Sequence, residues 1–170
     1  MITERLAVGV VVERRPARTR WEDHIWRVVA VLPGGPLLPP WSVLSEAEGT
    51  TRFLAGTMDI QVHSSDTKVY KHNIEAAQPA VYVVLRRGGG PVGWALLMVT
   101  VDPTEAQSHV DAGDDLVEAV PMPRAIFDWL SAFVSAHHVE RTEWRRKRDR
   151  ADPEALAPRR GRAMLGDDDE

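Results

Sequence analysis

The 170-residue chain contains no cysteine. That excludes disulfides, thiolate zinc sites, cysteine-ligated iron–sulfur clusters and a cysteine nucleophile. Nor is there an apolar run long enough for a membrane helix: the longest mostly apolar stretch, Val92 to Val101, falls far short of the roughly 20 residues such a span needs. Met1-Ile2-Thr3-Glu4-Arg5 lacks the long apolar stretch and small-residue cleavage site of a secretory signal, so the expected compartment is the cytoplasm. Basic charge is not in excess. The 21 Lys and Arg stand against 25 Asp and Glu, and the net charge of −4 gives no overall bias toward nucleic acid or anionic membrane.

The usual catalytic constellations are missing too. A helical zinc pair needs histidines three or four residues apart, and His24, His63, His72, His109, His137 and His138 offer none. His137 and His138 are adjacent, so on a helix they point about 100° apart. No Gly-x-Ser-x-Gly elbow occurs, and Ser64-Ser65 beside His63 reads as a polar strand end. Leu32-Pro33-Gly34-Gly35-Pro36 follows a strand, but its prolines remove the amides a phosphate would need. Gly88-Gly89-Gly90 joins two strands with no helix N-terminus behind it, so both glycine runs read as turns. Asp111, Asp114, Asp115 and Glu118 flank a glycine-containing turn, where acids serve solubility more often than acid–base chemistry. The expectation is a non-enzymatic chain with no cofactor and no metal.

The hydrophobic pattern is informative. Leu6 to Val12 is apolar on both faces, which suits a central strand. Trp26 to Leu32 places Trp26, Val28, Ala30 and Leu32 on one face. Thr57 to His63 alternates, with Met58, Ile60 and Val62 on its buried side, and Thr50 to Leu54 adds a short strand before Gly56. Val81 to Arg86 and Gly93 to Val101 flank a glycine-rich turn and predict an antiparallel hairpin. Asp66 is placed to cap one or two helical turns. Asp102-Pro103-Thr104-Glu105 is a stronger helix start, with an Asp cap, Pro in the first turn and Glu105 at capping-box spacing; that helix should end before Gly113. Pro121-Met122-Pro123 introduces a main helix from Pro123 to Arg148, with Ile126, Leu130, Phe133 and His137 on one stripe widened by Phe127, Trp129 and Val134. The predicted fold is α+β: a mostly antiparallel sheet or partial barrel of about five or six strands with a long C-terminal helix. Residues 1–148 form one domain in this reading, and 149–170 a disordered polar tail.

What remains for chemistry is tryptophan and arginine. Six tryptophans is a high count, and Trp21 and Trp41 lie in polar or proline-rich loops, where the ring must tuck against the body or meet a partner. Trp144 borders the basic run Arg145, Arg146, Lys147 and Arg148. That run reads as a solvated helix end favoured by the macrodipole, as a patch for an acidic partner surface, or, on the weakest grounds, as a nucleic-acid contact. Trp and Arg together are the residues that most often anchor protein interfaces. The candidate partner-binding residues are therefore Trp144, Arg145, Arg146, Lys147, Arg148, Trp21 and Trp41.

Several separated segments carry a resemblance: Val8-Gly9-Val10-Val11-Val12-Glu13-Arg14-Arg15 with the following Trp21 and Trp26, Val29-Ala30-Val31-Leu32-Pro33-Gly34, Ala80-Val81-Tyr82-Val83-Val84-Leu85-Arg86, Val120-Pro121-Met122-Pro123 and Lys147-Arg148-Asp149-Arg150. Together they resemble a proteobacterial family of uncharacterised small proteins encoded beside molybdenum-containing formate dehydrogenases. Some members carry the label molybdopterin-guanine dinucleotide biosynthesis protein A, a nucleotidyltransferase. This sequence argues against that activity, because its glycine loop runs into Pro36-Leu37-Leu38-Pro39-Pro40 with no basic residue until Arg52. The pattern also lacks repeated strand–helix units. The resemblance implies an accessory protein or small subunit that binds the formate dehydrogenase catalytic polypeptide. The alternative is a carrier of the molybdopterin-guanine dinucleotide cofactor, with Arg14, Arg15, Arg86 and Arg87 at strand ends to meet phosphates.

Overall fold

In the computed structural model, which describes residues 1–141, the chain runs β1 (Thr3–Pro16), β2 (His24–Pro33), β3 (Ser42–Ala47), β4 (Thr50–His63), α1 (Thr67–Glu75), β5 (Ala80–Arg87), β6 (Trp94–Thr100), α2 (Pro103–Ala112), β7 (Asp115–Pro121) and α3 (Arg124–His137). The architecture is α+β, as the pattern predicts, but the seven strands form two antiparallel sheets rather than one. The first has the order β2-β1-β4-β3 and the second β6-β5-β7. Among the described residues the strands do not close into a barrel. The expected hairpin is β5 and β6, paired from Tyr82 opposite Thr100 to Arg87 opposite Trp94. Thr50 to Leu54 and Thr57 to His63 are one continuous strand, β4, whose central Leu54, Ala55 and Gly56 are all buried. The expected domain end at 148 lies outside the described residues, as does the tail from 149.

The first sheet is bent along one row. Opposite Val10 to Val12 of β1, both flanking strands carry an extra residue: Val29 in β2 and Ala55 in β4. Leu44 is the extra residue where β3 meets β4. A bulge bends its strand and steepens its local twist, so bulges set side by side concentrate both along this row. This corrects the simple alternation expected for β2. Trp26 and Val28 face inward before the bulge; past it Val31 is buried while Leu32 is 39% exposed. Each bulge moves the inward face by one position.

The inner faces of both sheets share one core with helices α1 and α3. Val8, Val10 and Val12 of β1, Ile60 and Val62 of β4, and Val81, Val83 and Leu85 of β5 meet Ile126, Leu130 and Phe133 of α3 there. Of the stripe expected on α3, Ile126, Leu130, Phe133 and Val134 are buried. Helix α3 is shorter than expected. It ends at His137, with His138 in extended backbone; residues 138–141 are not helical and 142–148 lie outside the described residues. The physical cause is visible at the end: His138 leaves the helix to meet Thr67 of α1, Nδ1 to Oγ1, at 3.0 Å.

Two polar side chains join α1 to the sheets. Asn73 is buried; its amide nitrogen donates to the carbonyls of Ala80 and Val101 at 2.9 and 2.8 Å, and its amide oxygen accepts from the Ala80 N–H at 3.0 Å. It pins the start of β5 beside the end of β6. Tyr70 packs edge-on against Phe133, and its hydroxyl accepts from the His63 N–H at 3.1 Å. Asp66 precedes α1 but makes no side-chain cap. The start of α2 behaves differently. Asp102 accepts from the Thr104 N–H at 2.8 Å, and Gly113 closes the helix at φ 84°, a left-handed position suited to glycine. Glu105 does not complete a capping box, because the Thr100 hydroxyl takes both parts: it accepts from the Asp102 N–H and donates to Glu105.

Two outcomes are expected. Asn73→Ala removes the side-chain partner of one buried and two part-buried backbone groups, at about 1–3 kcal/mol for each left unrelieved by water. Chemical denaturation should show a midpoint loss equivalent to roughly 3 kcal/mol; an unchanged midpoint would refute the pinning role. Burial pushes the Tyr70 hydroxyl from its ordinary 10.0 up to about 12. The folded state thus favours neutral tyrosine, and this contribution is complete below the ordinary value and is lost as pH rises from there through about 12. In Tyr70→Phe, stability should fall less steeply over that alkaline interval than in the parent.

Candidate functional site

Where the β5–β6 hairpin approaches the start of β2, the two sheets leave an open cleft of about 470 Å³. Its walls come from elements far apart in sequence. The loop before β2 supplies Trp21, Glu22 and Asp23, β2 supplies His24, Ile25 and Trp26, and the hairpin supplies Arg87 and Trp94. Arg87 and Trp94 are direct cross-strand partners, which places the guanidinium 4.9 Å from the indole centroid. Such a stack contributes about 0.5–1 kcal/mol at an exposed site and holds both side chains in place. Trp94 is nearly buried, whereas Trp21 is 92% exposed at the lip.

Behind the cleft lies an aromatic wall. Trp26 stacks on Phe53 at 5.9 Å, and Trp41 meets both edge-on at 6.3 and 6.0 Å. Arg14 covers this cluster, 5.7 Å from the Trp26 ring and 5.2 Å from Phe53. Trp41 is buried and sits at φ 64°, a left-handed position that is costly for a large side chain. The ring contacts and the N–H bond from Trp41 to the Leu54 carbonyl hold it there. A Cβ on Gly90 would lie 2.4 Å from the Trp94 carbonyl and 3.1 Å from the Trp41 indole nitrogen, so the hairpin turn can close over Trp41 only with glycine at that point.

Three carboxylates are used structurally around this region. Glu13 of β1 is 3% exposed and accepts from Arg15 and from Arg52, the latter at 3.1 Å. Burial alone would raise its pKa, but the hydrogen bonds and charges of the two guanidiniums outweigh it and hold the carboxyl below its ordinary value. Asp115, 1% exposed, accepts from Arg86 Nε and Nη2 at 3.1 and 3.2 Å and pairs with His109 Nδ1 at 3.0 Å. The Arg86 hydrogen bonds lower its pKa against the effect of burial, and His109 adds to the lowering. Glu118 takes the Val28 backbone N–H and the Arg27 guanidinium, the latter at 2.7 Å. The acids seen as one group in sequence are thus dispersed: Asp115 and Glu118 serve different partners, and Asp111 accepts from Gln107 on the exposed side of α2. Among the described residues, no three or more His, Asp or Glu side chains converge as a possible metal site, and no helix is long and apolar enough to cross a membrane.

Of the residues singled out in sequence, Trp21 stands free on the surface and Trp41 has tucked into the body as part of the aromatic wall. Trp144, Arg145, Arg146, Lys147 and Arg148 lie outside the described residues. Sequence reasoning did not connect Glu22, Asp23, Arg87 and Trp94 with Trp21. One signal was available: counting back from the hairpin turn pairs Arg87 with Trp94 and puts a guanidinium on an indole. The meeting of that pair with the loop before β2 comes from the packing of the two sheets and has no local signature.

Residues 7–148 match the model of a family described as a protein of unknown function, DUF3305, and the chain belongs to that family. No curated protein and no solved structure matches it.

The Asp115 geometry has a measurable pH consequence. A carboxyl whose folded pKa is lowered contributes stability above its ordinary 3.8 that is lost as pH falls through the folded value. Asp115→Asn should therefore flatten the acid limb of the stability–pH curve. Parallel limbs for parent and variant would contradict the pairing.

Proposed function

We propose that this DUF3305 member is a non-catalytic accessory protein or small subunit of a molybdenum formate dehydrogenase system, binding the catalytic polypeptide to aid assembly, cofactor insertion or stability. The sequence resemblance supplies the system. The observation that carries a binding role is Trp21, 92% exposed on the lip of a cleft walled by Trp26, Trp94 and Arg87. A large ring held at a surface beside other aromatic and Arg side chains has the composition of an interface anchor.

A second reading, a carrier of the molybdopterin-guanine dinucleotide cofactor, draws support from the cleft volume, which falls within the range of small-ligand sites. It is the weaker of the two. Arg15 and Arg86 are engaged by Glu13 and Asp115, Arg14 and Arg87 lie over aromatic rings, and Glu22 and Asp23 line the cleft where a phosphate would need cations.

The deciding experiment is recovery of the tagged chain from its native host grown on formate, read by mass spectrometry and molybdenum content. Stoichiometric molybdenum-loaded dehydrogenase is expected for a resident subunit and apo-polypeptide for a maturation factor. Trp21→Ala should reduce recovery on the order of tenfold or more if the ring is an anchor. Absence of dehydrogenase, together with saturable tryptophan quenching by the cofactor, would transfer the assignment to the carrier reading.

A further inference from the structure

The chemistry of the cleft lip specifies more than an aromatic surface. Trp21 is followed directly by Glu22 and Asp23, and all three line the cleft. Among the described residues, neither carboxylate makes an ion pair or a side-chain hydrogen bond. This contrasts with Glu13, Asp115 and Glu118, each of which is neutralised by an arginine. The lip therefore holds an open indole face beside two carboxylates that form no ion pair.

An indole face and carboxylates together recognise a cation. The ring quadrupole attracts it, more strongly when the pair is desolvated, and a planar guanidinium can also meet a carboxylate through paired hydrogen bonds. The inner wall already contains one such arrangement, with Arg87 over Trp94 at 4.9 Å. That guanidinium occupies the inner indole and would repel a second cation there, so an incoming one is directed to the Trp21 lip. Arg18 and Arg20 belong to the same loop but do not line the cleft.

We propose that the Trp21–Glu22–Asp23 lip binds an arginine side chain presented by an extended basic segment of a protein partner. This rests on the reading of Trp21 as a docking residue and adds the chemistry of what docks. An acidic or phosphorylated segment would meet two carboxylates, and a purely apolar one would leave both desolvated and unpaired, which is costly.

The test uses the full chain and a capped Gly-Arg-Gly-Arg-Gly peptide, with Lys, Gln and Glu counterparts, read by tryptophan fluorescence and by the indole N–H signals in NMR. The arginine peptide should bind saturably and with salt sensitivity, the lysine peptide more weakly, and the Gln and Glu peptides without saturation. The double substitution Glu22→Gln, Asp23→Asn should weaken arginine-peptide binding on the order of tenfold while circular dichroism and thermal unfolding stay unchanged. Trp21→Ala should abolish the fluorescence response. Binding indifferent to peptide charge, or to loss of the two carboxylates, would overturn the proposal, as would preferential binding of guanosine monophosphate.

Dehydrogenase recovery separates this inference from the broader one. If Trp21→Ala impairs recovery and the carboxylate variant does not, docking through Trp21 stands and the arginine site falls. If the arginine peptide binds through the carboxylates but no dehydrogenase is recovered, the site stands and the formate dehydrogenase assignment falls.

Discussion

Two small antiparallel sheets can share a core only if the strand edge brought between them does not bury unpaired backbone groups. Here the carboxylate of Glu118 meets that constraint. Strand β2 is the outer strand of the four-stranded sheet, and its Val28 N–H points away from β1 beside the bulge at Val29. Glu118, on the outer strand β7 of the other sheet, accepts that N–H and pairs with Arg27. One side chain thereby satisfies an edge donor, neutralises a cation and fixes the relative position of two edges. A hydrophobic residue there would leave a partly buried N–H without a partner, a cost of about 1–3 kcal/mol.

The cleft follows from this closure. Joining β2 to β7 brings the start of β2 alongside the β5–β6 hairpin, so Trp26 and the loop before it face Arg87 and Trp94. The aromatic wall of Trp26, Trp41 and Phe53 then fills the space between the sheets at that end, with Arg14 over it. Trp41 pays for its left-handed backbone with that burial. Trp21 sits outside the wall and gains no comparable packing, which is why its exposure is informative and the burial of Trp41 is not.

Several features of the fold were legible because they are local. The β5–β6 hairpin follows from two apolar runs around a glycine-rich turn, and α2 from Asp102, Pro103 and Gly113 at its ends. The stripe on α3 follows from helical spacing. The differences arise where a distant partner decides. The face of β2 switches at Val29 because β1 imposes a bulge, and Glu105 leaves its capping-box role because Thr100 binds it. Strand β7 was hidden by its acids: Asp115 and Glu118 look like turn and surface residues until Arg86, His109, Arg27 and the Val28 N–H surround them.

The same division holds for the site. Sequence alone determined that cysteine chemistry is absent, that tryptophan is abundant and that the body is strand-rich, since these depend only on composition and on periods of two and about four residues. It also narrowed the loop tryptophans to two fates, tucked or free. Tertiary structure decided between them, sending Trp41 into the wall and leaving Trp21 at the lip of the cleft. It also decided that Glu22 and Asp23 share the cleft with Arg87 and Trp94, residues more than sixty positions away. Periodicity reports which face of an element is apolar, but not which other element will cover that face. That choice is made by the pairing and curvature of whole sheets, where contacts distant in sequence outweigh local preference.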